Sequence, residues 1–94
     1  MTTSDRIERR LRIVNEKGLH ARASARFVEV VEAHDAEAEV EKDGQCVAGD
    51  SIMGLLTLGA ARGSEIVVRV SGPEAAALAA ALSELVGDCF GEGM

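Results

Sequence analysis

Along the chain the apolar positions change period several times, and each change marks an element. Residues 7–14, I-E-R-R-L-R-I-V, alternate loosely, with Ile7, Leu11 and Ile13 on one side, which predicts a strand that Lys17-Gly18 then breaks. From Ala21 to about Ala33, Ser24, Phe27, Val28 and Val31 recur at three-and-four spacing, with Arg26, Glu29 and Glu32 mostly off that stripe. This predicts a helix with His20 at its N-cap. Residues 37–48, E-A-E-V-E-K-D-G-Q-C-V-A, return to strict alternation, with Glu37, Glu39 and Glu41 on one face and Ala38 and Val40 on the other. Asp43-Gly44 supplies a two-residue hairpin turn, so Val40 should face Val47 and Cys46 should lie opposite Glu41 on the wet side.

In the second half Ser51 is a natural N-cap for I-M-G-L-L-T-L, which Gly59 should end. Residues 65–70, E-I-V-V-R-V, predict a strand with Ile66, Val68 and Val70 inward and Val67 and Arg69 outward. S-G-P-E then opens a last helix, with Pro73 at its first position and Glu74 near its positive end. Ala75, Leu78, Ala79, Leu82, Leu85 and Val86 form its buried stripe, and Gly87 stops or frays it. The order is βαββαβα. Because the outer strand positions are polar, one sheet face should be solvated while all three helices cover the other. The expected fold is α+β: an open-faced sandwich, a four-stranded antiparallel sheet with three helices on one face.

Composition narrows the function. The 94 residues suit a single domain, 1–94, with the polar lead at residues 1–5 expected to be disordered. An aromatic share of 2% makes the core aliphatic and argues against base stacking, and the net charge of −6 argues against a nucleic-acid partner. No apolar run approaches the ~20 residues of a membrane span, so no membrane partner is expected. MTTSD does not read as a signal peptide. Cys46 and Cys89 are far apart and fit reduced thiols, so the expected location is cytoplasmic. No metal or cofactor is expected: side chains in the Glu37, Glu39, Glu41 row diverge without a histidine, and no glycine pattern has the context of a nucleotide fingerprint.

The chemistry concentrates in residues 15–27, N-E-K-G-L-H-A-R-A-S-A-R-F. A histidine at a helix start sits beside backbone N–H groups without intrahelical partners, here those of Ala21 and Arg22, and beside the positive end of the macrodipole. Together these form an anion site, to which the Arg22 guanidinium adds donors matched to phosphate oxygens. Positive surroundings should keep the His20 ring neutral, with a lone pair for nucleophilic attack. Gly18 allows the turn. For an isolated His-X-Arg, plain capping is the commoner outcome, so the longer pattern has to decide.

G-L-H-A-R-x-x-A-x-F-V at 18–28, with D-S-I-M-G-L-L-T-L-G-A at 50–60, closely resembles the HPr family, the histidine-containing phosphocarriers of the bacterial phosphotransferase system. The resemblance covers about residues 8–92. It implies that the chain is a carrier rather than an enzyme, that enzyme I phosphorylates His20 on Nδ1 using phosphoenolpyruvate, and that the group passes to an EIIA-type domain while Arg22 neutralises it. It further implies that Ser51 matches a serine modified by HPr kinase/phosphorylase. Ala25, Ile52, Met53 and Leu56 are then expected to form the apolar docking patch of a monomer. The chain departs from the usual H-A-R-P-A at Ala23, and carries Ser24, Asp50 and Lys17 where the family often has a small apolar residue, Lys and Asn. Two roles fit the resemblance: a phosphoryl carrier feeding sugar uptake, or a nitrogen-related regulator that docks on kinases, transcription factors or metabolic enzymes according to its phosphorylation state. A third, an adaptor using Ser51 alone, is disfavoured by the presence of both His20 and Arg22.

Overall fold

The computed structural model describes residues 6–92, so the lead at residues 1–5 lies outside the described residues. Strand β1 (Ile7–Arg12) is followed by α1 (Ala21–Glu32), β2 (Glu37–Lys42), β3 (Gln45–Ala48), α2 (Ile52–Thr57), β4 (Glu65–Ser71) and α3 (Ala75–Gly87), and a single 3-10 turn spans Cys89–Gly91. The four strands form one sheet in the order β1-β4-β2-β3, with every neighbouring pair antiparallel. The expected open-faced sandwich is what forms.

Alternation sets the register. Ile66, Val68 and Val70 of β4 are buried on the inner face, where Ile66 pairs with Leu11, Val68 with Val40 and Val70 with both Ile7 and Ala38. Across the hairpin Val40 pairs with Val47 and Glu41 with exposed Cys46. The turn residues Asp43 and Gly44 have φ of 52° and 85°, the two positive values that a right-twisted two-residue hairpin requires. Helix α3 lies against β1 and β4, α1 packs on α2 and α3, and α2 sits beside β3. Both phenylalanines of the chain, Phe27 and Phe90, are 0% exposed, so the aromatic complement is entirely inside the core.

The outer sheet face is an ion network. The Arg69 guanidinium donates to Glu41 at 2.7 Å and Glu8 at 3.1 Å and lies 3.7 Å from Glu39, which Arg6 also reaches at 3.3 Å. Hydrogen bonds to Glu41, then Glu8, push the Arg69 pKa above arginine's usual value. Two of the three carboxylates in the row at 37, 39 and 41 are thus engaged by arginine.

Two boundaries, one buried position and one turn differ from expectation. β1 closes at Arg12, yet Ile13 stays fully buried, donating its N–H to the Ser64 carbonyl (2.8 Å) and accepting from Gly63 (2.7 Å). Pro73 is not the first residue of α3: Gly72, at φ 116°, opens a turn closed by Ala75 N–H on the Gly72 carbonyl (3.1 Å), and the helix starts at Ala75. Glu74 becomes the cap residue, and its carboxylate accepts from the Asp35 backbone N–H at 2.6 Å instead of serving its own helix. Leu85, expected on the buried stripe, is only half-buried. The turn at Cys89–Gly91 has no counterpart in the periodicity. Cys89, Phe90 and Gly91 take φ of 53°, 55° and 77°, and left-handed backbone costs a non-glycine residue roughly 1–3 kcal/mol. Burial of Phe90 is what offsets that cost.

Replacement Phe90→Ala should therefore lower stability by about 3 kcal/mol or more, read from urea unfolding, because it removes a fully buried ring and with it the anchor of a strained turn.

Candidate functional site

Residues 15–20 cross from β1 to α1 in a loop that only glycine can close. Gly18 has φ of 66°, and a Cβ there would stand 2.3 Å from the Ala60 carbonyl oxygen. That contact exists because Leu19 donates its N–H to the same carbonyl at 2.9 Å, tying the loop to the segment after α2. Leu19 is buried, and the chain emerges at His20 in extended conformation (φ −81°, ψ −175°) as the N-cap of α1. The His20 carbonyl accepts the first helical bond, from Ser24 (2.8 Å), and His20 Nδ1 accepts from the Arg22 N–H at 3.3 Å. Buried Ser24 donates its hydroxyl to the Leu19 carbonyl at 3.3 Å, so this departure from a small apolar residue leaves no unpaired hydroxyl.

The opposite edge of the ring meets a residue 72 positions away. His20 Nε2 lies 2.6 Å from Glu92 Oε2, and Glu92 Oε1 accepts at 3.2 Å from the side-chain amide of buried Asn15, which also donates to the Gly18 carbonyl at 2.8 Å. An imidazole that accepts at Nδ1 and faces a carboxylate at Nε2 carries its proton on Nε2. The surroundings are thus not uniformly positive, as the helix start alone implied: donors face one ring edge and a carboxylate the other. Neither Asn15 nor Glu92 stood out in the sequence, since Asn15 sits in a non-periodic loop and Glu92 follows the last periodic segment.

Ala21 and Arg22 are exposed at the mouth of a hollow that His20 and Glu92 line together with Glu16 and Lys17. The Arg22 guanidinium makes no ion pair among the described residues. Lys17 brings a second cation to the rim. The arrangement can hold an anion against the N-terminus of α1 beside an imidazole lone pair.

Ser51 caps α2, its Oγ accepting from Gly54 N–H at 3.0 Å. Of the expected apolar patch, Met53 is 71% and Ile52 40% exposed, while Leu56 and Ala25 are half-buried and Leu55 turns fully into the core. Since α1 packs on α2, Ala25 and this exposed pair belong to adjoining helices. His34 lies just beyond the end of α1, and its Nδ1 is 2.8 Å from the Val30 carbonyl oxygen.

The family model described as "PTS HPr component phosphorylation site" matches residues 7–88. The phosphocarrier protein HPr of Neisseria meningitidis serogroup A is 39% identical over 87 residues, covering 93% of this chain and 98% of that protein. Among solved structures, HPr from Thermoanaerobacter tengcongensis superposes with a TM-score of 0.89 at 34% identity, covering 94% of this chain and 99% of that one. HPr from Bacillus anthracis gives 0.82 at 33% identity, covering 86% and 96%. Among the described residues no helix is long and apolar enough to cross a membrane.

Two glycine substitutions separate the constraints on the loop. Gly59, at φ 60°, has no atom within 4 Å of the point where a Cβ would stand, so Gly59→Ala should cost only the backbone strain, about 1–2 kcal/mol. Gly18→Ala adds the Ala60 clash and should cost clearly more in urea unfolding, while shifting the His20 ring resonances in NMR spectra, which Gly59→Ala leaves in place.

Proposed function

The chain belongs to the HPr family and is a phosphocarrier of the phosphotransferase system rather than an enzyme, and on that premise we propose that His20 is the residue that carries the phosphoryl group, on Nδ1. The observation that carries this reading is the division of the ring: Nδ1 faces the N-terminus of α1, where the Arg22 N–H meets it at 3.3 Å, while Nε2 is occupied by Glu92. Of the two nitrogens, only Nδ1 has its lone pair on the side where an anion is stabilised.

A phosphoryl group arriving at Nδ1 displaces the weak amide contact and takes over its donor. The N–H groups of Ala21 and Arg22 then bind phosphoryl oxygens, and the exposed Arg22 guanidinium, which has no carboxylate partner among the described residues, closes on them. An exposed arginine can also release the group to an acceptor, because its hold is a solvent-screened contact and not a buried clamp. Ala23 in place of proline leaves this geometry intact, since Ala23 sits buried in the first turn of a regular helix.

The donor in this reading is enzyme I and the acceptor an EIIA-type domain, both docking on the apolar surface made by Ala25, Ile52, Met53 and Leu56. Exposed Ile52 and Met53 supply its apolar contact. HPr kinase/phosphorylase is the proposed partner at Ser51, where a phosphate would sit on a helix start and add negative charge inside the docking surface. The chain then acts in the cytoplasm, as one HPr-like domain.

Incubation with enzyme I and phosphoenolpyruvate should yield an acid-labile, base-stable phosphoadduct that His20→Ala abolishes; an adduct that survives the substitution would place the phosphoryl group elsewhere. Ser51→Ala should lower stability by about 1 kcal/mol in urea unfolding, through loss of the cap to Gly54, without preventing labelling of His20.

A further inference from the structure

Strand β3 is an edge of the sheet, and the phase of its ladder fixes which backbone groups are already bonded. Gly49 donates its N–H to the Ala38 carbonyl at 2.8 Å, so the hydrogen-bonded pairs of the β2–β3 hairpin are Ala38 with Gly49, Val40 with Val47 and Lys42 with Gln45. Cys46 and Ala48 take the alternate positions, and their N–H and C=O groups point away from β2. The Ala48 carbonyl accepts from Ser51 N–H at 3.2 Å. The Cys46 N–H, the Cys46 carbonyl and the Ala48 N–H are left facing the open edge. Natural sheets blunt such edges with charge, proline or a bulge. The opposite edge, β1, carries Glu8, Arg9, Arg10 and Arg12, whereas β3 reads Q-C-V-A and pairs with β2 without a break. Its outward side chains, Cys46 and Ala48, are exposed and small.

Charge stands one strand further in. Glu37 and Glu39 of β2 border, with Cys46 and Ala48, a hollow of about 340 Å³ on the outer face that Arg6 also lines. Arg69 engages Glu41 and lies near Glu39, which Arg6 reaches as well, while exposed Glu37 has no ion-pair partner among the described residues. A strand added beyond β3 would lie two spacings, roughly 10 Å, from β2. A lysine or arginine stem spans that gap with a glutamate reaching back, because only Cys46 and Ala48 stand between. We propose that the β3 edge binds an extended segment of another protein in which Lys or Arg alternates with an apolar residue. The segment adds as a fifth strand, a mode in which main-chain bonds give affinity and alternate side chains give specificity. Its residue opposite Cys46 exchanges both backbone bonds with it, and the residue two positions away accepts from Ala48 N–H. Both send their side chains over Cys46 and Ala48 toward the carboxylate row, so both are cations. The residue between them points to the inner face beside half-buried Val47, so it is apolar. A second copy is a poorer occupant, since its own β3 offers Cys46 and Ala48 where the carboxylates call for cations. None of these residues lines the His20 hollow, so filling the edge leaves that site open.

The probe is a synthetic peptide capped at both ends, Lys-Val-Lys-Val-Lys, with two controls: the block order Lys-Lys-Lys-Val-Val and the acidic Glu-Val-Glu-Val-Glu. Titrated into the full chain and followed in proton–nitrogen correlation spectra, the alternating peptide should shift the amides of residues 45–48 and slow hydrogen exchange at Cys46 and Ala48. The block peptide should bind about five-fold more weakly, the scale of one lost backbone bond, and the acidic peptide should not bind. Cys46→Pro removes the outward donor where an edge strand tolerates proline, and should weaken the alternating peptide by about five-fold or more. Glu37→Gln, at an exposed position, gives an independent reading should the proline variant fail to fold: a loss of about two- to five-fold, the scale of an exposed ion pair. Failure of the alternating peptide to bind, equal binding of the block peptide, or binding that leaves the Cys46 and Ala48 amides unprotected would overturn the proposal. Protection of those amides that rises with protein concentration alone, with a matching dimer in sedimentation, would give the edge to a second copy and overturn it as well.

Discussion

Burial of one face of β4 is the constraint on which the molecule depends. β4 is the last strand in the chain but lies between β1 and β2, so Ile66, Val68 and Val70 must be covered both by cross-strand neighbours and by helices above. With only two aromatic rings, coverage comes from many aliphatic contacts, each worth little and collectively decisive. Helices α1, α2 and α3 therefore share one side of the sheet, and their ends gather the chemistry. The N-terminus of α1, the start of α2 and the turn after α3 are by-products of covering that face.

The site joins opposite demands at one imidazole. One ring edge requires donors, which the first turn of α1 supplies from backbone already in place. The other requires an acceptor, and that comes from a strained turn after α3 held by a buried phenylalanine. The donor that meets Nδ1 is the Arg22 backbone N–H, so this edge rests on neither the side chain nor the amide of Ala23. The acceptor edge depends on side chains from the two ends of the chain, Asn15 and Glu92, and is correspondingly easy to lose.

Some parts of this arrangement are legible in the sequence because their causes are local. The hairpin turn at Asp43-Gly44 needs positive φ at both residues, which that dipeptide supplies readily, and the alternation around it then fixes Val40 against Val47 and Cys46 against Glu41. His20 and Ser51 as caps follow from the residues after them, whose spacing announces a helix. Pro73 misleads for an equally local reason: proline suits a first helical turn, but Gly72 before it suits a turn of its own, and the second preference prevails. Leu85 lies at a stripe position, yet three helices on one sheet face leave part of the last one uncovered.

The sequence by itself determined the periods, the turns, the cap residues and the histidine with its neighbouring arginine, because each is a property of a few consecutive residues. Only the tertiary structure decided what stands at the far edge of the ring. Residues 20 and 92 have no sequence relation, and no period passes through the turn that carries Glu92. They meet because Phe90 must be buried, and burying it in a chain that has just left α3 turns the next carboxylate toward His20.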